Sequence, residues 1–221
     1  MGEKYQLMLL SNIDNMSILT IVSDVLMKYG WHYNKYSLGR HSYWSEGPIW
    51  EFGNSKEITE SETDRNVNVN RLINIIKDIS PFYSQSIVFH KYINERTSQA
   101  ISAIVESPNL LWKEVCISFE LDDLLPNNNS TCISKEIKEM FIDLSTFLKP
   151  YYGKTGIEMK GLVDEPRQLR LDESNFGDFN YFSFECFDHN KFDTGMKKYK
   201  VLECDKIGKF IFTSEHISGC N

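Results

Sequence analysis

The apolar residues of this chain repeat with two different periods, and the two periods alternate along the sequence. In "KEVCISFEL", residues 113–121, apolar side chains occupy every second position at Val115, Ile117 and Phe119, the period of a half-buried strand. From 133 to 149 the apolar residues recur every three or four positions, which is the period of an amphipathic helix. The aligned residues are Ile137, Phe141, Leu144 and Leu148. Alternating blocks of this kind predict an α+β fold.

The same patterns predict the remaining elements. Strands are predicted at 4–10, 31–37, 41–52, 84–92, 179–187, 197–204 and 209–214, the last two joined as a hairpin. Helices are predicted from an N-cap at Asp14 or Asn15 to Gly30, over 69–80, and over 94–106 with Asn94 as cap. The polar, acidic segment 53–66 is typical of an exposed loop.

These elements predict mixed or antiparallel sheets with amphipathic helices packed on one face. We expect a single domain spanning 1–221 that could divide near 106–112, because a strand, a helix and a Tyr-Gly pair recur on both sides of that point. A duplicated strand–helix–strand unit would explain the recurrence. Glycine at the end of a helix is so common that independent origins explain it equally well.

The tripeptide Gly153-Lys154-Thr155 matches the end of a phosphate-binding P-loop. A P-loop needs another glycine five positions before Gly153, where this chain has Leu148, and a helix after the motif rather than before it. Nucleotide binding is therefore not expected. We interpret the segment as a turn after Pro150, permitted by Gly153 and Gly156, with a strand beginning at "IEMKGL".

Other catalytic motifs are missing from the sequence. It contains no GxSxG and no HExxH, and its five histidines are scattered without a spacing suited to zinc. His90 lies near Glu95 and Arg96, so an enzyme with an unfamiliar site around these three residues is the competing hypothesis. A histidine at a strand end is more often structural. We expect no catalytic residues, no metal and no cofactor.

The charge of the chain bears on its partners and its location. The formal net charge of −7 argues against binding nucleic acid directly and favours a basic protein partner. No apolar run approaches the roughly 20 residues that span a bilayer, and the amino terminus lacks a basic signal region. The five cysteines are odd in number and widely spaced, as in reduced cytosolic proteins. We expect a cytoplasmic protein with no membrane contact.

Two sequence features suggest a contact surface. Aromatic residues are dense between 29 and 52, and exposed Trp and Tyr are preferred anchors of protein interfaces. Acidic residues are in excess over 46–64 and again at the end of the strand at 113–121. A packed sheet and a solvated face would explain these features without a partner. The predicted partner-binding residues are Glu120, Asp122, Asp123, Trp44 and Trp50.

An acidic α+β chain of this size, with helices ending in "KYGW" and "KPYYGKTGIEM" and no catalytic motif, resembles the immunity proteins of bacterial polymorphic-toxin and contact-dependent inhibition systems. The resemblance covers the general character of the whole chain and includes no diagnostic motif. It implies a stoichiometric inhibitor that binds a cognate toxin, often a nuclease, and occludes its active site. A structural or adaptor module is a further alternative.

Overall fold

A computed structural model describes most of the predicted elements. The described residues are 3–32, 41–44, 55–58, 84–94, 97–106, 112–121, 135–157, 159, 176–184, 200–204 and 208–212. The predicted helix over 69–80, and the parts of the predicted strands at 33–37 and 45–52, lie outside them.

The described residues form ten strands and two long helices. The elements are β1 (Lys4–Ser11), α1 (Asn15–Lys28), β2 (His41–Trp44), β3 (Ser55–Ile58), β4 (Ser84–Asn94), β5 (Thr97–Glu106), β6 (Lys113–Glu120), α2 (Lys135–Leu148), β7 (Tyr152–Ile157), β8 (Phe179–Ser183), β9 (Lys200–Cys204) and β10 (Gly208–Phe212). The strands form one sheet in the order β3-β2-β4-β5-β6-β1-β7-β8-β10-β9.

Every strand pair in this sheet is antiparallel, which confirms the predicted α+β class and the antiparallel alternative within it. The predicted strands that became β1, β4, β6, β8 and the β9–β10 hairpin are also confirmed. β1 lies in the interior of the sheet between β6 and β7, so its two neighbours come from much later in the chain.

Both helices pack on one face of the sheet, as predicted. Tyr5, Leu7 and Leu9 of β1 share that face with Val115, Ile117 and Phe119 of β6, and all of them are buried in one apolar core with the helices. Phe141 of α2 stacks on Phe179 and meets Phe210 edge to face, so the core extends beneath β8 and β10. The opposite face holds a smaller buried cluster of Met8, Leu10, Tyr152, Phe182 and Ile211.

The ends of α1 follow the sequence signals. Asp14 caps the helix by accepting a hydrogen bond from the backbone N–H of Ser17 at 3.0 Å. Gly30 adopts a φ of 80°, and the N–H of Trp31 donates to the carbonyl of Leu26 at 3.0 Å, which closes the helix with a Schellman-type turn.

Two side-chain ion pairs tie α1 and β4 to α2. Lys28 contacts the carboxylate of Asp143 at 2.5 Å, and Lys91 of β4 contacts Glu136 at 2.7 Å. The Tyr29 hydroxyl also donates to Asp143, at 2.7 Å. These contacts join the two helices and β4 over the sheet.

Three predictions about secondary structure were wrong. The segment 94–106 is not a helix, because β5 spans Thr97–Glu106 and pairs with both β4 and β6. Its apolar residues Ile101, Ala103 and Val105 alternate and are buried on the helix-covered face. The predicted loop at 53–66 contains β3, which pairs with β2 at the edge of the described sheet. A polar sequence suits an edge strand, because its backbone bonds come from one neighbour alone.

The third error concerns Gly153-Lys154-Thr155, which lies inside a strand rather than in a turn. β7 starts at Tyr152 and pairs with β1 from Leu10↔Tyr152 to Tyr5↔Ile157. Gly153 is required by close packing, because a Cβ there would overlap the Leu9 side chain and lie 3.2 Å from the Met8 carbonyl oxygen. An extended strand cannot curl around a phosphate, so the rejection of a P-loop agrees with the structure.

The expectation of two related halves stays a hypothesis. The two strands concerned, β1 and β6, are antiparallel neighbours, and the helix that follows each of them packs on the same face. Residues 107–111, where the chain could divide, lie outside the described part.

Candidate protein-interaction surface

Of the five predicted contact residues, Glu120 has a described side chain. It is the last residue of β6, its side chain is 47% exposed, and its carboxylate lies 3.8 Å from the Lys4 ammonium. An exposed pair at that distance contributes little to stability, so Glu120 is available to a partner. Trp44 is the last residue of β2, where the backbone alone is described. Asp122, Asp123 and Trp50 lie outside the described residues.

The register of the central strands shows what surrounds Glu120. Lys4 pairs with Glu120 on one side of β1, and Tyr5 pairs with Ile157 on the other. The N–H of Leu121 donates to the carbonyl oxygen of Glu3 at 2.9 Å. The start of β1 and the ends of β6 and β7 therefore meet at one end of the sheet.

An apolar side chain is exposed at that end. Ile157 is 50% exposed, and Met27 and Phe147 are the other large apolar side chains exposed in the described part of the chain. Glu3, which is exposed, precedes β1 at the same end, and half-buried Asp178 donates its N–H to the carbonyl of Thr155 in β7. We call Glu3, Glu120, Ile157 and Asp178 the acidic sheet end. The sequence continues from Leu121 into Asp122 and Asp123, so further acidic residues follow within two positions.

A buried hydrogen-bond network fixes Asp178 at this place. The Tyr5 hydroxyl donates to Thr155 Oγ1 at 2.7 Å and lies 3.2 Å from Asp178 Oδ2. Thr155 Oγ1 also accepts a hydrogen bond from the Phe179 N–H at 3.2 Å. The backbone carbonyl of Thr155 accepts one from the Asp178 N–H at 2.7 Å. Burial and the nearby Asp178 charge raise the pKa of Tyr5 well above its ordinary value, so the hydroxyl stays a donor.

The acidic sheet end carries three kinds of chemical group. It combines three carboxylates, one ammonium from Lys4 and a half-exposed aliphatic side chain on the ends of three paired strands. Rigid strand ends hold these groups at fixed separations, which suits recognition of a complementary surface. Because side chains alternate between the two faces of a strand, Ile157 projects on the same face as its partner Tyr5, whereas Lys4 and Glu120 project on the opposite face. The charged and apolar groups therefore lie at one end of the sheet but on its two faces.

The sequence reasoning missed three of the four residues at this end, namely Glu3, Ile157 and Asp178. The sequence "YGKTGI" has no alternating apolar pattern, and we interpreted it as a turn after Pro150, so the strand that ends at Ile157 was not predicted. Glu3 and Asp178 carry no local signal, because they reach Glu120 and Ile157 through pairing between distant segments.

Lys154, the lysine of the Gly153-Lys154-Thr155 tripeptide, faces away from the main core. Lys154 pairs with Met8 of β1 and is half-buried on the face opposite the helices. Burial lowers the pKa of Lys154, and the Glu114 carboxylate opposes that change. A lysine held in this way is part of the packed surface of the sheet, in a strand that forms no phosphate-binding loop.

Of the three residues in the competing site, the structure describes His90. The His90 side chain is 6% exposed, and neither ring nitrogen has a hydrogen-bond partner. Burial lowers the pKa of His90. Glu95 and Arg96 lie outside the described residues, so the enzyme hypothesis stays untested. In the part of the chain that is described, no three His, Cys, Asp or Glu residues are grouped to hold a metal ion.

The comparisons with known proteins do not decide the function. No protein-family model matches the sequence, and no curated protein matches it either. Among solved structures the chain is similar to the Pseudomonas aeruginosa T6SS protein PA0821, at 11% identity and a TM-score of 0.48, over 96% of this chain and 69% of that one. A likeness of that size carries no argument about fold or function. None of the helices in the described ranges is long and apolar enough to cross a membrane.

Proposed function

We propose that the protein is an immunity-type inhibitor that binds a basic bacterial toxin through the acidic sheet end and occludes the toxin's active site. The observation that carries the proposal is the half-exposed Ile157 at the junction of three strand ends that also present Glu3 and Glu120. The proposed role is binding without catalysis and without a cofactor, in the cytoplasm. A nuclease toxin fits best, because a cleft that binds phosphates is positively charged and therefore attracts carboxylates.

The apolar part of the surface supplies affinity. Completing the burial of a half-exposed isoleucine contributes about 1 kcal/mol, since full burial of such a side chain contributes about 1.5–3 kcal/mol. That is about a fivefold change in the dissociation constant. Removing Ile157 should therefore raise the dissociation rate.

The charged part of the surface supplies speed and selectivity. A net charge of −7 attracts a basic partner over the Debye length, and the carboxylates at the sheet end concentrate that attraction where Ile157 docks. Reversing the charge of Glu120 should lower the association rate and weaken its dependence on salt.

The first experiment identifies the partner. The full chain is used as bait in the cells that produce it, and the bound proteins are identified by mass spectrometry. We expect a basic protein that arrests growth when it is produced alone, with growth restored when this chain is produced with it. A small metabolite held by the bait, with no protein enriched, would contradict the proposal.

The second experiment places the contact. Binding of the identified partner is measured by surface plasmon resonance for Ile157→Ser, Glu120→Lys and the control Phe147→Ser. Phe147 is a suitable control because it is 55% exposed on α2, away from the sheet end. We expect Ile157→Ser to weaken binding fivefold or more, Glu120→Lys to slow association, and Phe147→Ser to change neither. Loss of binding in Phe147→Ser alone would move the contact to the helices and refute the proposed surface.

A further inference from the structure

Two histidines that are far apart in sequence lie directly opposite each other in the structure. His32 follows α1, and His90 lies in β4. The two residues form an antiparallel bridge, with the His32 N–H donating to the His90 carbonyl at 2.7 Å and the His90 N–H donating to the His32 carbonyl at 2.8 Å. Residues that exchange both backbone bonds project their side chains on the same face, with Cα atoms about 5.5 Å apart. We call His32 and His90 the histidine pair.

The His90 ring is buried, and neither of its nitrogen atoms makes a hydrogen bond. Its side chain is 6% exposed, and both ring nitrogens lack a hydrogen-bond partner. Buried polar groups in folded proteins are almost always bonded, so an imidazole left without partners needs an explanation. A ligand that accepts a nitrogen lone pair would supply one.

The described residues opposite His90 are an alanine and an exposed histidine. The residue opposite His90 on its other side is Ala100 of β5, whose side chain is a methyl group and is exposed. His32 is exposed as well, so solvent reaches the pair through His32, while the two ring nitrogens of His90 are shielded from solvent. The neighbouring Lys91 is held by Glu136 and lies over the Trp31 ring, so its ammonium is engaged elsewhere.

We propose that the histidine pair binds a divalent transition-metal ion, with one imidazole nitrogen from His32, one from His90, and water in the remaining positions. Imidazole suits Zn²⁺, Ni²⁺ and Cu²⁺, and an ion about 2.0–2.1 Å from one nitrogen of each ring would link the segment after α1 to β4. This inference goes beyond the proposed inhibitor function, because it concerns a different part of the sheet.

The test uses the full chain, freed of metal with EDTA and dialysed into chelator-free buffer. Titration calorimetry with ZnCl₂, repeated with NiCl₂, should show one ion bound per chain. His32→Ala is the main variant because the residue is exposed and its loss should not disturb folding. We expect at least a tenfold loss of affinity in His32→Ala and in His90→Asn. His216→Ala, at a histidine outside the described residues, should bind as the wild type does.

A second readout does not depend on heat of binding. Excess ZnCl₂ should raise the Tm of the wild type and of His216→Ala, because an ion that binds the folded state alone stabilises it. It should leave the Tm of His32→Ala unchanged. No heat and no Tm shift in the wild type would overturn the proposal. An equal loss of affinity in His216→Ala and His32→Ala would also overturn it, since binding would then be spread over surface histidines.

Discussion

Replacing Gly153 by alanine tests whether this glycine serves strand packing. A Cβ at this position would overlap the Leu9 side chain and lie 3.3 Å from Phe141 Cε2. Both neighbours are buried in the main core, so neither can move without disturbing other packed side chains. Overpacking of this kind costs about 1–3 kcal/mol. The alanine also restricts the unfolded chain, which offsets about 0.4–1 kcal/mol. We expect a net loss of roughly 1–2 kcal/mol.

The matched control is Gly156→Ala in the same strand. There a Cβ would lie 3.2 Å from the end of the Met159 side chain, which is flexible and can move aside. Thermal and urea unfolding should show Gly153→Ala with a Tm lower by about 2–8 °C, at about 2–4 °C per kcal/mol for a chain of this size. Gly156→Ala should stay close to the wild type. If Gly153→Ala were as stable as the wild type, or Gly156→Ala the less stable of the two, the packing explanation would fail.

Three further predictions concern buried polar groups and the start of α1. Tyr5→Phe should lose about 1–3 kcal/mol in urea unfolding, because Thr155 loses a buried donor and Asp178 loses a polar neighbour. Tyr29→Phe should lose less, because Lys28 still pairs with Asp143, the acceptor of the Tyr29 hydroxyl. Equal losses would contradict this. Asp14→Ala should lose about 1 kcal/mol of stability because the N-cap hydrogen bond is lost, and Asp24→Ala should lose almost nothing. A larger loss in Asp24→Ala would refute the capping role of Asp14. Because burial lowers the pKa of Lys154, the unfolded chain binds more protons between the folded pKa and 10.5. The wild type should thus gain stability relative to Lys154→Met as the pH rises toward 10.5, and a constant difference would contradict the cause given.

The sequence predicts those elements whose apolar period is long and unambiguous. β6 and α2 each show one period over several repeats, and both lie where the period places them. In 94–106 the apolar residues fit two periods at once, because Ile101, Ile104 and Val105 suit a helix while Ile101, Ala103 and Val105 suit a strand. Pairing with β4 and β6 decides in favour of the strand, and that pairing is not local information.

The candidate surfaces were harder to predict for the same physical reason. Glu120 could be proposed because its charge follows a clear strand. Ile157 could not, because its exposure depends on where β7 ends against β1, and a strand was not expected to begin at Tyr152. The histidine pair has no sequence signal, since the β4 register alone brings His32 to His90.

The position of β1 makes stability and binding separable at the acidic sheet end. Tyr5 connects this end to the core through Thr155 and Asp178, so changes to Tyr5 should alter both the free energy of unfolding and the placement of Asp178. Glu120 and Ile157 are about half-exposed, so changes to them should alter binding of the proposed partner and leave stability nearly unchanged. If the proposed function holds, the contact residues on such strand ends can vary while the buried network keeps the strands in register.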